Sequence, residues 1–284
     1  MTRKIVLIAV LSVWVLAGCK TPTDAARNTM RLYDLERHEV VTDREALQRL
    51  QAARIVLVGE HHNNAAHHKA QLKVIRSLHE AGRKVAVGLE MFRRDSQQDL
   101  DQWIAGTTSE SQFEPIYLDN WSFSWELYGP IFKYAKKNRI PMVGLNVPRS
   151  ITGQVASKGF ESLSKAQKGA LEGITCDVTQ QYRNFIGKAY GAHAHGHMNF
   201  NRFCEAQLVW DSAMAVYAID YLEQRSDTTM VLLAGSGHAR KLGIPYQIAK
   251  RTPWDHVVVM PETKGVFDPE VLTAGDADYI LLNE

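Results

Sequence analysis

Cysteine is scarce in this sequence, and its spacing argues against a zinc ribbon. The 284 residues contain 3 cysteines, Cys19, Cys176 and Cys204. No two of them stand in the CxxC spacing on which such zinc sites are built. Cys176 and Cys204 could pair in an oxidising compartment, but the sequence does not show whether they meet.

The sequence also lacks an excess of either charge. It has 33 lysines and arginines against 31 aspartates and glutamates, a formal net charge of +2. Arg3 and Lys4 lie within the first 18 residues, so the remainder carries 31 residues of each sign. A balanced chain offers no electrostatic reason to expect nucleic acid as a partner.

No apolar run is long enough to span a membrane comfortably. The N-terminal run, Ile5–Ala17, has 13 residues, follows a short basic start and leads into small residues. These features predict a secretory signal over residues 1–18. "LAGC", ending at Cys19, resembles the bacterial lipobox, which implies that Cys19 is lipidated; the alternative is an ordinary signal peptide with a chance cysteine.

The predicted lipid anchor also predicts a location. Lys20 follows the cysteine, and a residue other than aspartate there resembles the signal for the outer membrane of Gram-negative bacteria. Residues 19–30 are then a tether. Residues 31–284 form the folded domain, which is anchored to the membrane without crossing it.

Apolar runs are nevertheless present in the predicted domain, and they define the fold class. Runs rich in Val, Ile and Leu are typical of buried parallel strands. Helical patterns separate them, and a long helical stretch at about 148–228 precedes the fourth run. We therefore predict an α/β fold with a mostly parallel sheet flanked by helices and a helical insertion. The predicted strands are residues 54–60, 84–90, 140–146, 229–238, 254–262 and 278–283, and the predicted helices are 64–81, 96–104 and 125–138.

The last helix of the insertion carries an aromatic-rich stripe from Phe203 to Tyr221, with members three and four residues apart. Such spacing places them on one helical face. We predict that this stripe is the core face of the helix.

Polar residues close the first four predicted strands. Glu60 ends the first and is followed by His62, Glu90 ends the second, Asn146 ends the third, and His238 closes the fourth. In open α/β sheets, ligands bind outside the carboxyl ends of the strands, so the two glutamates and the two histidines are expected in one crevice. The alternative is that polar residues merely open surface loops.

Two chemistries suit two carboxylates and two imidazoles in a crevice. They could ligate a divalent metal, or a carboxylate and a histidine could exchange protons with a substrate. The sequence contains no HExxH motif, so the spacing does not favour metal binding over acid–base chemistry. Nearby, His68 is expected to face the crevice, whereas His61 and His67 have no assigned role and could be structural or solvated.

A second histidine group lies inside the predicted insertion. His193, His195 and His197 alternate along a glycine-containing stretch, with Tyr182 and Tyr190 before it. Imidazoles beside aromatic rings suit an exposed planar ligand such as a porphyrin. A flexible polar loop beside ordinary core aromatics explains the same residues.

The motifs together resemble a known family. "LVGEHHNNAAHH", "GLEMF", "NFNRFCEAQLVWDSAMA" and "AGSGHA" occur in this order behind the lipobox. They resemble the ChaN-like haem-binding uptake lipoproteins over about residues 54–250. The matching positions, residue by residue, are Glu60, His62, Asn64, His67, His68, Glu90, Glu205, Gln207, Asp211, Gly235 and His238.

The resemblance implies a haem-binding protein of the outer membrane that serves iron acquisition, with an outer-membrane haem receptor as a partner. It further implies haem at a homodimer interface, a tyrosine as iron ligand and a histidine near the propionates. The family's ligands do not map onto this chain by motif. Tyr182, Tyr190 and the histidines 193, 195 and 197 are therefore candidates by position.

The same skeleton also looks like a wider superfamily of hydrolases that includes Tiki metalloproteases and erythromycin esterases. This likeness implies an alternative function, a metal-dependent peptidase or esterase. Its catalytic and metal-binding residues would be Glu60, His62, Glu90 and His238.

Overall fold

The computed structural model describes residues 30–193 and 199–283, which are built around one eight-stranded sheet. The strand order is β2-β1-β8-β7-β3-β6-β4-β5. The strands are β1 (Leu32–Asp34), β2 (Glu39–Val41), β3 (Ile55–Glu60), β4 (Lys84–Arg93), β5 (Met142–Asn146), β6 (Thr228–Gly235), β7 (His256–Pro261) and β8 (Tyr279–Leu281).

The centre of the sheet is parallel, as the apolar runs predict. Strand β6 lies between β3 and β4, and both pair with it in parallel. Strands β5 and β7 extend the parallel part on either side. Only the edge departs from this pattern, because β1 pairs antiparallel with both β2 and β8. The predicted α/β class is confirmed.

Helices cover both faces of the sheet. Their starts follow ordinary capping chemistry; for example, Asn64 accepts a hydrogen bond from the main-chain N–H of Ala66 at 2.9 Å, which satisfies a donor that the helix leaves free. The helices are α1 (Asp43–Ala52), α2 (Ala65–Glu80), α3 (Gln97–Ala105), α4 (Glu110–Asn120), α5 (Trp125–Asn138), α6 (Arg149–Lys158), α7 (Lys165–Gly169), α8 (Gln180–His193), α9 (Phe200–Glu223), α10 (Ser236–Ala239) and α11 (Ile244–Ala249).

Two apolar clusters form the core, one on each side of the sheet. Val56 and Val58 of β3 pack with helices α2 to α5, whereas Ile55 and Leu57 pack with α9 and α11. Successive strand residues point to opposite faces, so one strand serves both clusters. Each fully buried aliphatic side chain contributes about 1.5–3 kcal/mol to the free energy of unfolding.

The stretch between β5 and β6 is filled by helices α6 to α9. Helix α9 is the longest of them, with 24 residues. The aromatic stripe of α9 contributes only in part to the core: Phe203, Trp210, Tyr217 and Tyr221 are partly buried and pack against the core clusters. The fully buried side chains of α9 include Met214 and Leu222 together with the small residues Ala213, Ala215 and Ala218.

Arg54 fixes the far end of helix α9 to the sheet. Its guanidinium donates hydrogen bonds of 2.6–2.8 Å to four carbonyl oxygens. Two of these carbonyls, those of Leu222 and Arg225, also accept main-chain N–H groups, so Arg54 adds a second donor where the helix ends. The acceptors belong to Leu222, Arg225, Ser226 and Thr228.

The described helices include none that is both long and apolar enough to cross a membrane. The predicted signal segment, Cys19 and nearly all of the predicted tether lie outside the described residues.

Candidate functional site

The carboxyl ends of the parallel strands open into one cavity, which we call the crevice. It has a volume of about 260 Å³. The crevice is lined by His62, Glu90 and His238, as predicted from their positions after β3, within β4 and after β6. Glu60 lies directly behind His62. The other lining residues are Met91, Arg93, Asn120, Trp121, Asn146, Val147, Arg149 and Trp210.

The first half of the crevice is a pair formed by Glu60 and His62. His62 Nδ1 lies 2.6 Å from Glu60 Oε1, which also accepts a hydrogen bond from the Tyr128 hydroxyl at 2.9 Å. Burial opposes a charge on His62, but the bond to Glu60 and the charge of Glu90 outweigh it and raise its pKa. The pair therefore favours the charged ring, in which His62 Nε2 carries a proton.

The second half is a pair formed by Asp211 and His238. His238 Nδ1 lies 2.7 Å from Asp211 Oδ1. Burial opposes the charge on His238, yet Asp211 and Glu90 more than compensate and raise its pKa to about 9. His238 is therefore an imidazolium at neutral pH.

Glu90 lies between the two histidines. Its Oε2 accepts the main-chain N–H of Gly235 at 2.6 Å, and its Oε1 lies 3.8 Å from His238 Nε2. Gly235 also leaves room for His62, because a Cβ atom there would lie 2.8 Å from His62 Cε1. A larger residue here would therefore force the His62 ring to move.

His67 is buried next to the crevice and has a structural role. Its Nδ1 accepts the main-chain N–H of His61 at 2.8 Å, so Nε2 carries the proton that bonds Thr263 Oγ1 at 2.7 Å. Burial lowers the pKa of His67 to about 4. Both nitrogens of this neutral ring are already used.

His68 supports the crevice from behind. Its Nε2 lies 3.2 Å from the carbonyl oxygen of His62, and its Nδ1 lies 3.1 Å from Gln71 Oε1. It does not line the cavity that His62 and His238 line. His61 instead packs its ring on Phe267, with centroids 4.6 Å apart.

The expectation of a divalent metal in the crevice is not supported. Within residues 30–193 and 199–283, no group of three or more His, Cys, Asp or Glu side chains is arranged as a metal site. The physical reason lies in the pairing. His62 and His238 each direct one nitrogen to a carboxylate, and Glu90 directs one oxygen to a main-chain N–H.

Of the predicted cofactor residues, Tyr182 has a described side chain, and it lies on the other side of Asp211 from His238. Tyr182, near the start of α8, is buried and donates its hydroxyl hydrogen to Asp211 Oδ2 at 2.6 Å. Burial and the Asp211 charge raise its pKa well above the ordinary value. Tyr190 and His193 lie further along α8, whereas His195 and His197 lie outside the described residues.

Residues 46–248 match the model of a protein family that is described as haem-binding uptake, Tiki superfamily, ChaN. This protein belongs to the ChaN family. Its matched region contains the whole crevice together with helices α8 and α9. A comparison with curated proteins finds no match.

Three solved structures are similar to this ChaN-family chain to different degrees. ChaN of Campylobacter jejuni, a structure described as showing cofacial haem binding, is 20% identical with a TM-score of 0.70, and the alignment covers 90% of this chain and 97% of that one. An erythromycin esterase, EreC, in its open conformation is 17% identical with a TM-score of 0.49, covering 82% and 76%. The type III effector HopBA1 is 12% identical with a TM-score of 0.49, covering 84% and 91%.

The sequence of this ChaN-family chain marks Asp211 as a position that matches the family motifs but assigns it no role in the site. It accepts hydrogen bonds from both Tyr182 and His238 and is buried. A further signal is its position, because a carboxylate within an apolar stretch of a helix needs buried partners. Tyr128, which binds Glu60, gives no comparable signal, because a tyrosine in a core helix is common.

Proposed function

We propose that this protein binds haem and serves haem or iron acquisition from the outer membrane of a Gram-negative bacterium. The observation that carries the proposal is the family match, which extends over residues 46–248. A further support is the fold that it shares with ChaN of Campylobacter jejuni, whose description names cofacial haem binding. Haem delivery would then involve a receptor of the outer membrane.

The crevice is too small to enclose the haem. Its volume of about 260 Å³ falls below the roughly 300–1,000 Å³ of typical sites for drug-sized ligands. We therefore place the haem against helices α8 and α9. Tyr182, Ile186, Cys204 and Leu208 form a buried cluster there. Phe185, Phe200 and Phe203 are only partly buried around it, which gives an apolar surface that suits a porphyrin.

The iron ligand is proposed among the tyrosines and histidines of this region. Tyrosinate suits ferric iron that must later be released. Tyr182 would first have to lose its proton and leave Asp211, because its hydroxyl is bound there at 2.6 Å. Tyr190 and the histidines at 193, 195 and 197 are the other candidates. Cofacial haem in the Campylobacter protein supports a homodimer that forms on haem binding.

Haemin titration of the chain from residue 20 onward tests haem binding. We expect a saturable Soret band that a non-haem protein of similar size does not produce, and a doubling of the mass in light scattering as the haem site fills. Substituting Tyr190→Phe, or the three histidines together with glutamine, should weaken the band. His62→Gln, in the crevice, should leave it intact. A titration that never saturates contradicts the proposal.

The anchor is tested separately. With Cys19 lipidated, the full chain should take up labelled palmitate and float with outer-membrane vesicles in a density gradient. Cys19→Ala should abolish both. Labelling that persists in Cys19→Ala contradicts this location.

A second candidate function is acid–base catalysis in the crevice without a metal. It is supported by the two imidazoles, each fixed through Nδ1 by a carboxylate, on either side of Glu90. A protonated histidine can donate to a leaving group while Glu90 accepts a proton from water. Small esters or amides of a size that fits 260 Å³ are the substrates that this geometry suits.

Hydrolysis of a panel of chromogenic esters in the presence of a chelator tests this candidate. We expect turnover that Glu90→Gln and His238→Asn each reduce at least about 100-fold, the usual contribution of a positioned acid or base. Turnover that needs added Zn²⁺, or that Glu90→Gln leaves unchanged, contradicts it.

A further inference from the structure

The two cysteines after Cys19 meet in one apolar cluster. Cys204, in the first turns of α9, is fully buried beside Tyr182, Ile186 and Leu208. Cys176, in the segment before α8, packs against the same cluster. Its Sγ lies 3.6 Å from the carbonyl oxygen of Glu205, the residue next to Cys204. Both are thiols in this structure.

We propose that Cys176 and Cys204 form an intramolecular disulfide in the mature protein. The sulfur of Cys176 already touches the main chain beside Cys204, so pairing requires its side chain to exchange the Glu205 carbonyl for the Cys204 sulfur. A disulfide needs Cα atoms about 4.4–6.8 Å apart, and the contact of Cys176 Sγ with the main chain next to Cys204 brings the two side chains into the same cluster. The anchored envelope location proposed above is an oxidising compartment, where such bonds persist.

The reaction is thiol–disulfide exchange with an oxidant that itself carries a disulfide. One cysteine loses its proton and attacks the oxidant, which forms a mixed disulfide and releases one thiol of the oxidant. The second cysteine loses its proton, attacks the mixed disulfide and forms the Cys176–Cys204 bond. Two electrons and two protons pass to the oxidant, which leaves as a dithiol.

Burial determines when the bond can form. It raises the pKa of Cys176 to about 12 and also raises the pKa of Cys204. Thiolate is the reactive form, so the folded thiols are nearly inert. The bond therefore forms before the cluster closes during folding, and the same burial then protects it from reduction.

The bond would close a loop around the proposed haem segment. Residues 177–203 contain all five predicted cofactor residues, Tyr182, Tyr190, His193, His195 and His197. Closing this loop removes conformations from the unfolded chain and fixes both ends of the segment on α9. A segment held in place before binding loses less freedom on binding, which increases affinity. This consequence rests on the proposed haem function, whereas the bond itself rests only on the proposed envelope location.

Peptide mapping without reduction tests the bond. The full chain, exported with its own N-terminal segment and taken from the membrane fraction, is alkylated and then cleaved with trypsin. Cys176 lies in the peptide 169–183 and Cys204 in the peptide 203–225. We expect these two peptides linked in protein that migrates as a monomer on a non-reducing gel. Alkylation of both cysteines before reduction overturns the proposal, and so does a linkage found only in a dimer band.

Haem affinity tests the consequence. The double variant Cys176→Ser/Cys204→Ser should bind haem several-fold more weakly than the oxidised wild type, with an unchanged Soret maximum. Reduced wild type should match the variant, and reductant should not alter the variant. Equal affinities in all forms overturn the proposed consequence. If no form binds haem, the haem function fails, and the peptide map still decides the disulfide.

Discussion

Tyr182 and Asp211 are joined by a buried hydrogen bond of 2.6 Å that attaches the start of helix α8 to the middle of helix α9. Asp211 also holds His238 at 2.7 Å on its other oxygen. One carboxylate therefore contacts the proposed haem region and the crevice at the same time. This arrangement makes Tyr182 a structural residue in the absence of haem, whatever its role with haem bound.

Removing the hydroxyl of Tyr182 should destabilise the protein. Tyr182→Phe keeps the ring but takes away a donor to a buried carboxylate, a bond type that contributes about 1.5–3 kcal/mol. We expect the free energy of unfolding in urea to fall by about that amount. The control is Tyr134→Phe, whose hydroxyl meets His79 at 3.1 Å in a partly buried position and should change stability less. An equal loss in both variants contradicts the role given to Asp211.

Protonation of His238 should stabilise the folded state up to mildly alkaline pH. Its pKa is raised from 6.5 to about 9 on folding, so between these values the folded state binds more protons than the unfolded state. The stabilisation is complete below pH 6.5 and is lost as the pH rises through 9, by up to about 3 kcal/mol. Urea unfolding across pH 6–10, with an NMR titration of the His238 ring, measures it.

His38→Asn, at an exposed position, is a suitable control for the change in unfolding free energy with pH. His38 has a φ of +58°, a conformation that asparagine tolerates. The variant should keep the wild-type slope. A His238 ring that titrates near pH 6.5 rules out the ion pair with Asp211.

His67 should produce the opposite pH dependence. Its pKa is lowered from 6.5 to about 4 by burial, so between pH 4 and 6.5 only the unfolded state takes up the proton. Stability is therefore unaffected above pH 6.5 and decreases as the pH falls to 4, by up to a few kcal/mol. His67→Gln, which cannot titrate, should flatten the unfolding free energy in this range. An unchanged acidic slope in the variant assigns the effect to other groups.

Filling the space at Gly235 should disturb the crevice. A Cβ atom there would lie 2.8 Å from His62 Cε1, so Gly235→Ala must displace the His62 ring, at a cost of about 1–3 kcal/mol. The shift should appear as a changed His62 ring resonance and a lower unfolding midpoint. Gly153→Ala is the matched control, because nothing lies within 4 Å of a Cβ at this helical position. Its stability should stay equal or rise by up to about 1 kcal/mol.

The sequence predicts most of the sheet because its strands carry a strong local signal. The runs that form β3 and β5 consist almost entirely of buried residues. A strand that is buried along its whole length is apolar throughout, so it can be recognised from the sequence alone. The three-residue strands β1 and β2 were missed, since such short edge strands have no periodicity. The segment 229–238 was predicted as one strand, but its last residues turn into helix α10 once β6 ends at Gly235.

The crevice was predictable in part for the same reason. Glu60, His62 and Glu90 follow directly from the strand positions, because parallel strands end at one edge. Asp211 comes from a helix distant in sequence, and its role depends on the packing of α8, α9 and α10 together. Likewise, the different roles of His62 and His67 depend on the partners Glu60 and Thr263, which no spacing within the histidine-rich segment reveals.

Because one oxygen of Asp211 bonds Tyr182 and the other bonds His238, we expect thermodynamic linkage between the crevice and the α8–α9 region. A ligand that breaks the Tyr182 bond changes the charge distribution around His238, and a ligand held by His238 changes the acceptor available to Tyr182. Coupling of this kind is reciprocal. Whatever factor haem imposes on the affinity of a crevice ligand, that ligand imposes the same factor on haem, so occupancy of the small cavity would adjust how readily the macrocycle is released.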